Sequence, residues 1–195
     1  MIAVTFCLLA MTCAHAKQTQ AIPSSGGAYF AHRVELPVPA FAQDAPKWTN
    51  VHLGPTTDTL GEEGCTLTSI VMVLNYYGIK TDPPRLNRYL TTHDGYDDEG
   101  YLAFDRIEPY SAGRIHLAES EVPSYRVLDE NLLAGHPVIV QVTLPDGAMH
   151  FVVIAGKVGR DYLARDPAGD PRGPLSPLRE ISPAINWQYL FLKHN

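Results

Sequence analysis

The chain has 195 residues, 45% of them hydrophobic and 18% charged, which is enough for one domain with a sizeable core. Lys plus Arg total 15 against 21 Asp plus Glu, a formal net charge of −6, so the basic face of a nucleic-acid binder is missing. No apolar run reaches the roughly 18 residues that a helix needs to cross a membrane, and a helical membrane span is excluded on that ground.

Residues 2–12 form a short apolar run, and Ala14-His15-Ala16 follows with small residues where a signal peptidase reads. Residues 1–16 are expected to be a signal peptide, although no Lys or Arg precedes the run. A lipoprotein signal would use Cys13, but Met11 and Thr12 are bulky for that role. The expected destination is the periplasm or the exterior of the cell. Cleavage after Ala16 would remove Cys7 and Cys13 and leave Cys65 as the one thiol. In an oxidising compartment a solitary cysteine is an intermolecular link, a buried packing residue or a reactive group. Residues 17–38 are rich in small and polar side chains and read as a linker that becomes extended near Val34, with the domain itself over 39–195. Gly26-Gly27 in that stretch resembles a double-glycine processing site, a pairing that flexible linkers also carry by chance.

The clearest helix begins at Cys65, where Leu67, Ile70, Val71, Leu74 and Tyr77 recur at the spacing of one helical face and Gly78 supplies a stop. Pro83-Pro84 opens a shorter helix over 85–92, and a further helical stretch is expected over 101–110. Between them lies the acidic loop Asp94-Gly95-Tyr96-Asp97-Asp98-Glu99-Gly100. Residues 128–133 look helical and end at Gly135. The β-branched run 137–144 reads as a strand, the Pro145-Asp146-Gly147 turn follows, and 150–158 is a second strand. Gly159-Arg160 is a turn candidate leading to a third strand over 161–166, and 187–192 returns to the sheet. Helices first and antiparallel strands second define an α+β fold.

Gly64 precedes Cys65 and an apolar helix follows it, so the thiol sits at a helix N-terminus. Unpaired amide N–H groups and the helix dipole stabilise a thiolate there, and the same N–H groups can donate to an oxyanion. Glu62 and Glu63, just upstream, oppose the thiolate. Local sequence leaves Cys65 equally open to a packing role. His150 begins one strand and Asp166 ends the next, so a hairpin turning near Gly159 brings those ends to one side of the sheet. Pairing Val158 with Asp161 points the two side chains to opposite faces, whereas pairing Lys157 with Asp161 puts them on the same face. The sequence leaves that register open.

A helix-N-terminal Cys, then His, then Asp, is the chain order of papain-like cysteine peptidases. Gly64-Cys65-Thr66-Leu67-Thr68-Ser69 with Asn75-Tyr76-Tyr77-Gly78, then Gly135-His136-Pro137-Val138-Ile139-Val140, His150-Phe151-Val152-Val153 and Asp166-Pro167, resemble the peptidase C39-like family. Gln43-Asp44 and Trp48 resemble the family's entry into the domain, and the resemblance covers roughly residues 39–170. It implies a papain-like fold, with N-terminal helices packed on a C-terminal antiparallel sheet. It also implies an exported cysteine peptidase or amide hydrolase working through an acyl-enzyme. Cys65 would be the nucleophile, His150 the general base and acid, and Asp166 the orienting carboxylate. Gln43 is the oxyanion donor this resemblance offers, provided that the segment before the helix loops out. Relatives that cleave leader peptides carry a glutamine nearer the cysteine, where this chain has Thr59. Acyl transfer to an amine is open to the same three residues. The competing expectation is a catalytically silent domain that binds peptides or a partner protein.

Asp94, Asp97, Asp98 and Glu99 do not have the spacing of an EF-hand and read as a solvated loop. The histidines form no zinc motif, and no glycine-rich phosphate loop is present, so neither a metal nor an organic cofactor is expected. Trp48, Tyr76, Tyr77 and Trp187 read as core or cleft-wall aromatics. The expected molecule is a monomer acting on a peptide or protein.

Overall fold

The computed structural model describes residues 20–194. The expected signal peptide, at 1–16, lies outside the described residues. In chain order the elements are β1 (Ile22–Pro23), β2 (Ser25–Glu35), α1 (Leu60–Glu63), α2 (Cys65–Tyr76), α3 (Pro83–Thr92) and a 3₁₀ turn at Phe104–Arg106. They continue with α4 (Ile107–Tyr110), β3 (Ile115–Glu121), α5 (Tyr125–Ala134), β4 (Val138–Thr143), β5 (Met149–Arg165), β6 (Ser176–Pro177), α6 (Leu178–Ile181) and β7 (Ala184–Lys193). The fold is mixed, with helices on an antiparallel sheet. Among the described residues the sheet has seven strands, ordered β1-β7-β4-β5-β2, with β3 beside β7 and β6 beside β5.

The helix expected to bury one face is buried on nearly all sides. Cys65 and every residue from Leu67 to Leu74 are buried. Such a helix lies inside the molecule and not on its surface. It packs on β5, whose Val152, Val153, Ile154 and Ala155 are fully buried, as are Val138, Ile139, Val140 and Val142 on β4. These continuous apolar runs differ from the alternation of a sheet with one wet face. At the C-terminal end of α2 the Tyr77 hydroxyl donates to the Phe191 carbonyl at 2.9 Å, fastening the helix to β7.

The stretch expected as a helix over 101–110 is only a 3₁₀ turn followed by the four-residue α4. The two strands expected over 150–158 and 161–166 are one seventeen-residue extended run, β5. Its ends nevertheless meet, since His150 and Asp166 are hydrogen-bonded at 2.8 Å. Sixteen residues of straight strand would hold them about 50 Å apart, so β5 turns back within its length. Gly159, at φ 59°, supplies the left-handed conformation that such reversals use.

Extended structure also starts well before Val34. Ser25–Glu35 is an eleven-residue strand paired with β5 through two register irregularities. It is held by a buried cluster. Lys157 is 0% exposed, and its Nζ lies 2.5 Å from Asp129 Oδ1 and 2.8 Å from the Gly26 carbonyl. Tyr162 donates to the same carboxylate at 2.7 Å, and the Ala28 amide donates to Asp129 Oδ2 at 2.7 Å. Burial lowers the Lys157 pKa, and the Asp129 carboxylate works against that shift. Gly26 and Gly27 are thus part of a clamped strand, and Arg160 also donates to the Gly27 carbonyl at 2.6 Å.

Candidate active site

Two short pieces of local structure place Cys65. Thr59 caps α1 in a capping box, in which Glu62 Oε2 accepts from the Thr59 amide at 3.0 Å and from its hydroxyl at 2.8 Å. One of the two glutamates expected to oppose a thiolate is therefore tied to the start of α1. Gly64 then breaks the chain between α1 and α2. A Cβ there would lie 2.2 Å from the Leu60 carbonyl oxygen, so no other residue fits without a backbone shift. Gly64 brings no side-chain cap to α2, leaving the amide groups of the first turn to whatever occupies the space above them. Cys65 is the first residue of that helix and is 7% exposed.

One turn further along, Ser69 fixes the helix on the sheet. It is fully buried, and its hydroxyl donates to the Phe151 carbonyl at 3.1 Å. Phe151 adjoins His150, so this bond ties the cysteine's helix to the histidine's strand beside their apolar packing. The sequence gives only a weak hint of this role, a buried-pattern serine on an apolar helix.

His150 pairs across the ladder with Val142 and is 5% exposed. Its Nε2 lies 2.8 Å from Asp166 Oδ1, so the two side chains share a face. The same carboxylate oxygen accepts from the Ala168 amide at 2.8 Å, which holds Asp166 against the turn that follows β5. Nδ1 is the imidazole nitrogen left for the Cys65 thiol. Burial acts to lower the His150 pKa; hydrogen bonds to Asp166 and Cys65 and their charges outweigh it and push the group up to about 9. The Asp166 carboxylate thus favours the charged form of the imidazole.

Gln43 is 7% exposed and lies between the two halves of this constellation. Its amide N–H donates to the Pro167 carbonyl at 2.8 Å, next to Asp166. Its side-chain Nε2 donates to the Gly61 carbonyl at 3.0 Å and to Glu62 at 3.4 Å, just before Cys65. Oε1 is buried with no partner among the described residues. Trp48 is 5% exposed and is a core aromatic whose Nε1 donates to the Ala42 carbonyl at 2.9 Å, bracing the loop that carries Gln43. The intervening segment does loop out between Gln43 and α1.

Above Cys65 opens a cleft of about 600 Å³, within the usual range for small-ligand sites. Cys65, Thr66, Tyr96, Phe104, Gln141 and Met149 are among the residues that line it. Phe104 stacks on Tyr189, which also lines the cleft, with centroids 4.3 Å apart and planes 12° from parallel, giving the cleft an aromatic surface. The loop expected to be merely solvated supplies part of the wall. Among the described residues no group of three or more His, Cys, Asp or Glu side chains is arranged to hold a metal ion, and no helix is long and apolar enough to cross a membrane.

A buried helix that starts on a cysteine, packed on a strand that presents a histidine and its carboxylate partner, is the arrangement of a cysteine-peptidase-like domain. The chain belongs to the peptidase C39-like family, whose model matches residues 35–187. The fold is similar to the crystal structure of a candidate C39-like peptidase from Bacillus anthracis, with a TM-score of 0.56 and 18% sequence identity. The likeness covers 84% of this chain and 99% of that one. None of the curated proteins matches the sequence.

Proposed function

We propose that this domain is a papain-like thiol hydrolase that cleaves a peptide or related amide through an acyl-enzyme. The Cys65 thiolate attacks the carbonyl carbon, and the carbonyl electron pair moves to oxygen. Amide groups at the start of α2 donate to that oxyanion, and Gln43 Nε2 joins them by releasing one of its two carbonyl acceptors, Gly61 or Glu62. The His150 imidazolium then gives its proton to the departing nitrogen as the carbon–nitrogen bond breaks. Neutral His150 takes a proton from water, hydroxide adds to the thioester, and collapse releases the acid and restores the thiolate. An amine arriving in place of water would give acyl transfer by the same steps. Asp166 holds the ring by Nε2 and favours its charged form.

The observation that carries this reading is the His150–Asp166 hydrogen bond at 2.8 Å, on the strand that packs against the helix Cys65 begins. Residues 1–16 support export, and recovery of the exported chain beginning at Lys17 checks that part. The chemistry is tested by alkylating the protein with iodoacetamide at pH 6 and locating the label by mass spectrometry. Cys65 labelling should fall at least about tenfold in His150→Ala, because the imidazolium partner of the thiolate is gone. Equal rates in the two proteins would overturn the proposal.

A further inference from the structure

The cleft over Cys65 carries charge of one sign. Asp58, Glu63 and Glu99 all line it, each exposed to solvent, and no lysine or arginine lines it among the described residues. None of the three has an ion-pair partner within the described residues, in contrast to the acidic side chains held by Arg33, Arg126 and Arg179 elsewhere. They come from three separate segments: the loop before α1, the end of α1, and the acidic loop after α3. That last loop is built to present its charge. Asp97 Oδ1 is consumed internally, accepting the Glu99 amide at 3.1 Å and the Tyr101 amide at 2.7 Å, while Glu99 and Tyr101 face the cleft. The carboxylates are not gathered as metal ligands. They are spread around a space large enough for several side chains of an extended ligand, and Tyr101, 61% exposed, adds an aromatic face at the rim.

We infer that the cleft selects cationic substrates, namely peptides or amides carrying lysine, arginine or a free amine beside the bond that Cys65 attacks. This rests on the reading that Cys65 reacts in this cleft. A cleft lined by one sign of charge focuses the field and raises the local concentration of the opposite charge. Aromatic faces at the rim accept the cation or the aliphatic stem of its side chain. An anionic peptide would meet repulsion from all three carboxylates, with no lysine or arginine among the lining residues to receive it.

The test uses the full protein and three methanethiosulfonates of similar size, bearing a trimethylammonium, a neutral methyl or a sulfonate group. In each case the thiolate attacks the reagent's sulfenyl sulfur, a disulfide forms and methanesulfinate leaves. Rates at Cys65 are normalised to those of 2-mercaptoethanol. The cationic reagent should outpace the anionic one by about tenfold or more at low salt. The ratio should collapse toward one at 1 M salt, where the screening length is about 3 Å. Asp58→Asn/Glu63→Gln/Glu99→Gln should remove most of the preference. Glu130→Gln/Asp170→Asn, which lowers the protein's negative charge away from the cleft, should leave it intact. A lysine-containing hexapeptide should slow labelling by the neutral reagent, and a glutamate-containing one should not. A ratio near one, an equal drop in both sets of variants, or equal effects of the two peptides would overturn the inference. The neutral reagent separates the two hypotheses: slow labelling that ignores His150→Ala counts against the catalytic reading, whereas the charge ratio tests selectivity alone.

Discussion

Replacing Asp166 with Asn removes a charge and spares most of the surrounding geometry. The oxygen that faces His150 Nε2 also accepts from the Ala168 amide at 2.8 Å, and a carboxamide oxygen keeps both contacts. What it lacks is the negative charge that favours the imidazolium. His150 is raised from 6.5 to about 9, with burial pulling down and the Asp166 and Cys65 interactions pushing up. A rise of that size corresponds to roughly 3 kcal/mol between the two protonation states. A carboxylate neighbour typically accounts for about 1–3 pH units. Asp166→Asn should therefore lower the His150 pKa by about 1–2 units. The assay follows the His150 Cε1 proton by NMR as pH is raised, with the alkaline limb of turnover as a second readout. The sign for stability follows from the same shift. A folded-state value above the unfolded one gives stabilisation that is full below pH 6.5 and is lost as pH rises through about 9. In the variant that loss comes at lower pH. A His150 that still titrates near 9 without the carboxylate charge would refute the argument.

Gln43→Ala should cut turnover of an amide by roughly 10²–10³-fold while changing the Cys65 alkylation rate little, because alkylation develops no oxyanion. A parallel fall in both would make Gln43 a structural brace. Lys157→Met leaves the buried Asp129 carboxylate without its cation and should cost about 3–5 kcal/mol in urea unfolding, whereas Lys157→Met/Asp129→Leu should recover much of that loss. Gly64→Ala places a Cβ against the Leu60 carbonyl and should cost about 1–3 kcal/mol. The accompanying movement of α2 should slow Cys65 labelling, measured by mass spectrometry.

The sequence made the cysteine's position legible because its determinants are local: Gly64 before it, an apolar run behind it and Gly78 at the end. His150 and Asp166 were legible as residues at strand ends, but whether they share a face depends on register. A slip of one residue reverses the faces, and neither register has a distinctive local sequence. Gly159 was visible as a turn signal, although the strand continues through it. β2 was not legible at all before Val34. Ser25-Gly26-Gly27 has no strand propensity, and its conformation is imposed by Lys157 and Asp129, whose pairing is invisible to local pattern. The cleft's charge was hidden for the same reason: Glu63 beside the thiol and Glu99 in the acidic loop read as separate local features, and only the fold sets them with Asp58 around one space.

The clamp on β2 has a consequence for how the chain is assembled. The Gly26 carbonyl is held by a lysine 131 positions later, and the Ser25 hydroxyl donates to a carbonyl 135 positions later. During synthesis β2 emerges early and has no partner until β5 has followed. Contacts of such sequence separation are slow to form. For most of the chain's emergence β2 is an unpaired edge, open to other strands or to proteases.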